Sequence, residues 1–75
     1  MKFTLYFLAT RTRPDRVAIR DEWILRAVKA PAREERQSDG RIRRWVKIDE
    51  EGGRYLRVVL LSDGETVHNA FAVRE

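Results

Sequence analysis

Residues 38–64 read SDGRIRRWVKIDEEGGRYLRVVLLSDG. Three glycine turns stand in or beside this stretch: Asp39-Gly40, Gly52-Gly53 and Asp63-Gly64. Asp-Gly is a strong hairpin signal, because both central residues of a type I′ turn need φ > 0. The segments between the turns are rich in Ile, Val, Leu, Tyr and Trp, as strands are. Three turns separate four strands, expected at Ala32–Gln37, Ile42–Ile48, Tyr55–Leu61 and Thr66–Val73. Strands joined by consecutive hairpins form an antiparallel meander.

Upstream, Phe3-Thr4-Leu5-Tyr6-Phe7-Leu8 is short and aromatic and reads as a further strand. Thr10–Arg13 is a polar link. Pro14 suits the first turn of a helix, where its missing N–H goes unused. From there to Ala30 the periodicity is helical: Val17, Ile24 and Val28 share a stripe beside Ile19, Trp23 and Ala27. Ala30-Pro31 ends the helix, and the spacing leaves open a break near Ile19–Asp21. The expected fold class is α+β, with an N-terminal strand and one helix, in one piece or two. A four-stranded antiparallel meander follows, with the helix packed on one sheet face. Residues 1–75 are expected to form one small domain.

Composition narrows the function. A chain of 75 residues holds one core and buries only about 60% of its unfolded surface. It has no cysteine and one histidine, which excludes disulfides, thiol chemistry and zinc-thiolate sites. No metal and no cofactor are expected. The apolar run Phe3–Ala9 is too short for a bilayer, which needs about 20 residues. No membrane association is expected, and the anticipated setting is the bacterial-type cytoplasm.

Of the 16 cations, 13 are arginine. Arg makes planar, bidentate contacts with phosphate and carboxylate, where Lys acts as a point charge. Residues 11–44 hold eleven cations against six acids, and residues 45–75 hold four against six. Either a phosphate-rich partner or high-GC codon bias accounts for the excess, so position has to decide.

Side chains alternate across a strand. A two-residue Asp63-Gly64 loop pairs Leu60 with Val67, Val58 with Asn69 and Leu56 with Phe71, gathering bulky apolar groups on the helix side. It sets His68 across from Val59, on the face of Arg57 and Tyr55. At Gly52-Gly53 a two-residue loop would turn Trp45 and Lys47 to the helix. A three-residue loop would turn Ile42, Val46 and Ile48 there, and is preferred because it does not bury Lys47. The opposite face then shows Arg43, Trp45, Lys47, Tyr55, Arg57 and His68. Cations interleaved with flat aromatics suit single-stranded nucleic acid: the cations track phosphates and the rings stack on bases. Arg43, Trp45, Lys47, Tyr55 and Arg57 are the candidate nucleic-acid contacts. The competing reading makes Trp45, Val59 and Leu61 a second small core or a homodimer interface, rimmed by snorkelling cations. His68 is the one side chain with an unperturbed pKa near neutrality. It is the candidate general acid or base, with Arg57 or Arg43 stabilising a pentavalent phosphate.

The order of elements resembles the RelE/ParE-like toxin superfamily, most nearly its small BrnT-like members. The resemblance rests on Ile19, Trp23-Ile24, Val28 and Pro31, then Asp39-Gly40-Arg41, Arg54-Tyr55-Leu56-Arg57-Val58-Val59 and Thr66-Val67-His68-Asn69-Ala70-Phe71. It implies a compact, metal-independent ribonuclease held by a small acidic antitoxin, in which the RNA's own 2′-OH attacks the adjacent phosphate. Arg57 matches the basic position of such enzymes, and Phe71 stands where relatives often carry Tyr. Two functions follow: a non-enzymatic module that binds RNA or a partner protein on a RelE-like scaffold, or an endoribonuclease toxin using His68 and Arg57.

Overall fold

A computed structural model of the chain describes residues 1–73; Arg74 and Glu75, counted above in the acidic half, lie outside the described residues. The elements are β1 (Lys2–Phe3), α1 (Leu5–Thr10), α2 (Asp21–Lys29), β2 (Arg33–Arg36), β3 (Ile42–Ile48), β4 (Arg54–Leu60) and β5 (Thr66–Val73). They form a five-stranded sheet in the order β1-β5-β4-β3-β2. The hairpin strands β2 to β5 pair antiparallel. β1 lies parallel to β5 through Lys2–Thr66 and Phe3–Val67, so the sheet is mixed. The class is α+β. Among the described residues no helix is long and apolar enough to cross a membrane.

The N-terminal strand is far shorter than expected. Thr4 ends it by capping a helix: its Oγ1 accepts a hydrogen bond from the Phe7 N–H at 3.1 Å, as N-cap threonines do. The three-residue spacing of Phe7 and Thr10 then turns both into the protein, while Leu5 is left 85% exposed. A strand would have put Leu5 and Phe7 on one face.

The helix expected from Pro14 begins only at Asp21. Arg20 is extended, with φ −85° and ψ 145°, so the chain does break where Ile19–Asp21 left the question open. Residues 11–18 make successive turns, including Arg16 and Val17 N–H groups bonded to the Arg13 carbonyl. Val17 is 66% exposed and takes no part in the stripe. α2 itself obeys its sequence. Asp21 and Glu22 occupy its first turn, Arg26 and Lys29 its last, matching the helix dipole. Trp23, Ile24 and Ala27 face inward against Ile42, Ile48, Leu56, Val58, Leu60, Val67 and Ala70, with Phe7 of α1 completing the cluster.

Hairpin lengths differ from the two-residue type I′ form. Gly40 and Gly64 have φ of 91° and 71°, and among the described residues no non-glycine residue has positive φ, so Asp39 and Asp63 do not adopt the I′ geometry. The first hairpin closes through Gln37 N–H to the Arg41 carbonyl, the last through Leu61 N–H to the Thr66 carbonyl. Asp63 holds the latter by accepting from the Glu65 and Thr66 N–H groups and the Thr66 hydroxyl. The middle hairpin pairs Ile48 with Arg54. Its loop has five residues, Asp49–Gly53, and contains a 3₁₀ turn at Asp49–Glu51. That is longer than the three expected but of the same parity, so Ile42, Val46 and Ile48 do face α2. Bidentate hydrogen bonds from Arg26 to Glu50, at 3.1 and 2.7 Å, tie the loop to α2.

Candidate nucleic-acid interface

β5 starts in the expected register, Leu60 opposite Val67, and then slips. The next pairs are Val59–Asn69, Val58–Ala70, Arg57–Phe71 and Leu56–Ala72. His68 is the extra residue of a β-bulge, a device that re-aims side chains. The expected pairs Val58–Asn69 and Leu56–Phe71 are therefore wrong, and His68 does not lie across from Val59. Ala70 and Ala72 take the helix side. Asn69 and Phe71 join Arg57 on the face away from α2.

One open groove on that face has a volume of about 370 Å³. It spans three strands and α1. Gln37, Arg41 and Arg43 come from the first hairpin, Arg57 and Val59 from β4, His68, Asn69 and Phe71 from β5, and Tyr6 from α1. Three sequence candidates, Arg43, Arg57 and His68, thus meet here. The bulge adds Asn69 to them, so that His68 and Asn69 both line the groove although they are consecutive.

The other candidates do not meet there. Arg33, Trp45, Arg57 and Phe71 are direct neighbours in one row across β2, β3, β4 and β5. The Arg33 guanidinium lies 4.6 Å from the Trp45 ring centre and that of Arg57 lies 4.3 Å from the Phe71 ring centre. Arg16 reaches over the edge of β5 to sit 5.1 Å from the same Phe71 ring and to donate to Asn69 Oδ1 at 2.7 Å. Trp45 is 6% exposed as a result and has no open face to give a base, which corrects its assignment as a stacking residue. Lys47 and Tyr55 pair with each other further along the hairpin. Tyr55 lines a separate cleft with Ala32, Arg33 and Trp45.

The groove cations are held differently. Arg41 has Asp39 at 3.8 Å and Arg43 has Glu35 at 3.4 Å. Among the described residues Arg57 has no ion pair and its Nε is buried without a hydrogen-bond partner. Burial, and then the neighbouring Arg43 charge, lower its pKa from the ordinary value. A guanidinium stays charged at neutral pH regardless. Glu35, paired with Arg43, offsets this charge from a distance but forms no ion pair with it, so an anion entering the groove gains a charge-assisted bond without displacing a direct protein partner.

His68 is clamped on its edge and its face. Its Nδ1 lies 3.1 Å from Thr4 Oγ1, and its ring stacks on Tyr6 with centroids 4.9 Å apart and planes 23° apart. Thr4 Oγ1 also accepts from Phe7 N–H, and toward Nδ1 it serves as donor or acceptor according to the imidazole tautomer. Burial, aided by Arg41, pushes the imidazole pKa below its usual 6.5.

Sequence reasoning missed Tyr6, Gln37, Arg41, Asn69 and Phe71. Tyr6 was hidden by the strand reading of Phe3–Leu8, and Asn69 and Phe71 by the bulge. Arg41 and Gln37 flank the Asp39-Gly40 turn, and their closeness followed from the hairpin itself. Among the described residues no cluster of His, Asp or Glu has metal-binding geometry. Neither a family model, nor a curated protein, nor a solved structure matches the chain.

Proposed function

We propose that this chain is a non-enzymatic binding module for single-stranded RNA, working in the cytoplasm, with the Arg41–Arg43–Arg57 groove as its phosphate track. The observation that carries the reading is Arg57: a half-buried guanidinium with no carboxylate partner among the described residues, lining an open groove beside two further arginines. Buried charges are ordinarily paired, and a phosphodiester supplies the missing partner. The test is binding of a labelled single-stranded oligoribonucleotide across a salt series. The logarithm of affinity should fall with log salt at about 0.7 per phosphate contacted. Arg57→Ala should weaken binding at least tenfold and flatten the slope by about one contact. Oligoribonucleotide binding that ignores salt would remove the phosphate track, and absence of binding at low salt would end the RNA reading in favour of a protein partner.

A second reading follows from His68 lying in the same groove. On a RelE-like scaffold it makes the groove a metal-independent endoribonuclease site. His68 would move the proton at the 2′-OH or the leaving oxygen, and Arg57 would hold the phosphate. Cleavage that persists in EDTA and vanishes in His68→Ala would favour it. Intact RNA after long incubation leaves binding as the function.

A further inference from the structure

Tyr6 is the one groove residue contributed by a helix, and its setting is unlike that of Trp45. One face of its ring lies on His68 at 4.9 Å, yet the residue is 51% exposed. The ring is therefore covered on one side and solvent-facing on the other. It is also held in place. His68 is fixed through Nδ1 by Thr4, and Thr4 is the cap that starts the helix carrying Tyr6. A flat ring fixed from behind loses little freedom when a second flat ring is laid on it.

The chemistry around it is asymmetric. Arg41 and Arg43 come from the first hairpin and Arg57 from the middle of the sheet, whereas Tyr6 stands at the β5 edge with Asn69 and His68. Charge for a backbone thus enters from one side of the groove and a π-face from the other. The volume of about 370 Å³ suits a unit of nucleotide size.

Resting on the RNA-binding reading, we propose that Tyr6 is the base platform of the groove. One nucleobase of the strand stacks on its free ring face while the adjoining phosphate lies on Arg41, Arg43 and Arg57. The site recognises a base attached to a phosphate, rather than polyanion charge alone.

The experiment compares oligoadenylate with an abasic ribose-phosphate oligomer of equal length, on the wild type, Tyr6→Phe and Tyr6→Leu. Adenine is chosen because a purine has the larger stacking face. The wild type should bind oligoadenylate about tenfold tighter than the abasic strand, the scale of one base–aromatic stack. Tyr6→Phe should keep that ratio. Tyr6→Leu, which retains apolar bulk against His68 so that the helix stays docked, should bring it close to one. Equal binding of both oligomers by the wild type overturns the platform and leaves RNA binding standing. So does a preference that survives Tyr6→Leu. Failure of the wild type to bind either oligomer at low salt removes both readings together.

Discussion

On the helix side of β4, Leu56, Val58 and Leu60 are buried against α2 and β3. On the other side of the same strand, Tyr55, Arg57 and Val59 are only partly covered. The first face is sealed by apolar residues that need no particular geometry beyond shape. The second is closed by guanidiniums laid over rings: Arg33 on Trp45, Arg57 on Phe71, and Arg16 on Phe71 from across the β5 edge. Cation–π contacts of this kind are worth about 0.5–2 kcal/mol each, less than burial of a whole Leu. What they add is orientation, since a cation stacked on a ring has few ways to point. Stability is concentrated on the first face, and the second fixes the direction in which its guanidiniums point.

The largest effect should come from breaking the helix face. Leu60 is fully buried, and Leu60→Ala should cost about 2–5 kcal/mol. Native domains have only about 5–15 kcal/mol in total, so the urea midpoint should fall well below that of the wild type. A cost below about 1 kcal/mol would mean that α2 does not anchor the sheet.

An intermediate effect is expected from the other face. Phe71→Leu removes the ring beneath both Arg57 and Arg16 and should lower stability by about 1–2 kcal/mol. It should also weaken RNA binding while leaving the salt slope unchanged, because the phosphates contacted are the same and only the guanidinium is less fixed. Arg57→Ala, by contrast, lowers the slope itself. If Phe71→Leu reduces stability but leaves affinity intact, the outer face is a second small core and its ladder has no part in recognition.

The same division explains how far sequence reasoning reaches. Helix-face residues of β3 and β4 announce themselves by alternation, and α2 by its acidic first turn and its Trp23-Ile24-Ala27 face. Parity alone set the outer face of the middle hairpin, even though the loop proved two residues longer. The failures have local causes. Thr4 capped a helix inside a run of strand-forming residues, and propensity carries no record of a cap that competes with pairing. The bulge at His68 inserts one residue into Thr66–Val73, and a one-residue slip exchanges the faces of everything after it. Trp45 lies on the expected face, but its cover is not legible in the sequence, because Arg33 belongs to another strand and its reach over the ring is a tertiary fact.

The smallest effect concerns pH, and it acts on the outer face alone. The His68 ring is surrounded by the Thr4 hydroxyl, the Tyr6 ring and the Arg41 charge. Its pKa is depressed below 6.5, first by burial and then by Arg41. As pH falls below 6.5, the unfolded chain takes up the proton before the folded one does, so stability declines through the lower folded value. Bound phosphate reverses the local preference, since an imidazolium beside it is attracted. RNA affinity should therefore rise over the same interval in which the melting temperature falls. Glu50 and Asp63 are held down to about 2 by Arg26 and Thr66 respectively, so neither titrates in that window. Melting and binding measured from pH 7.5 to 5.5 should diverge in the wild type, and His68→Gln should flatten both trends. Parallel movement of the two, or a divergence that persists in His68→Gln, would place the titrating group elsewhere and detach His68 from the phosphate track.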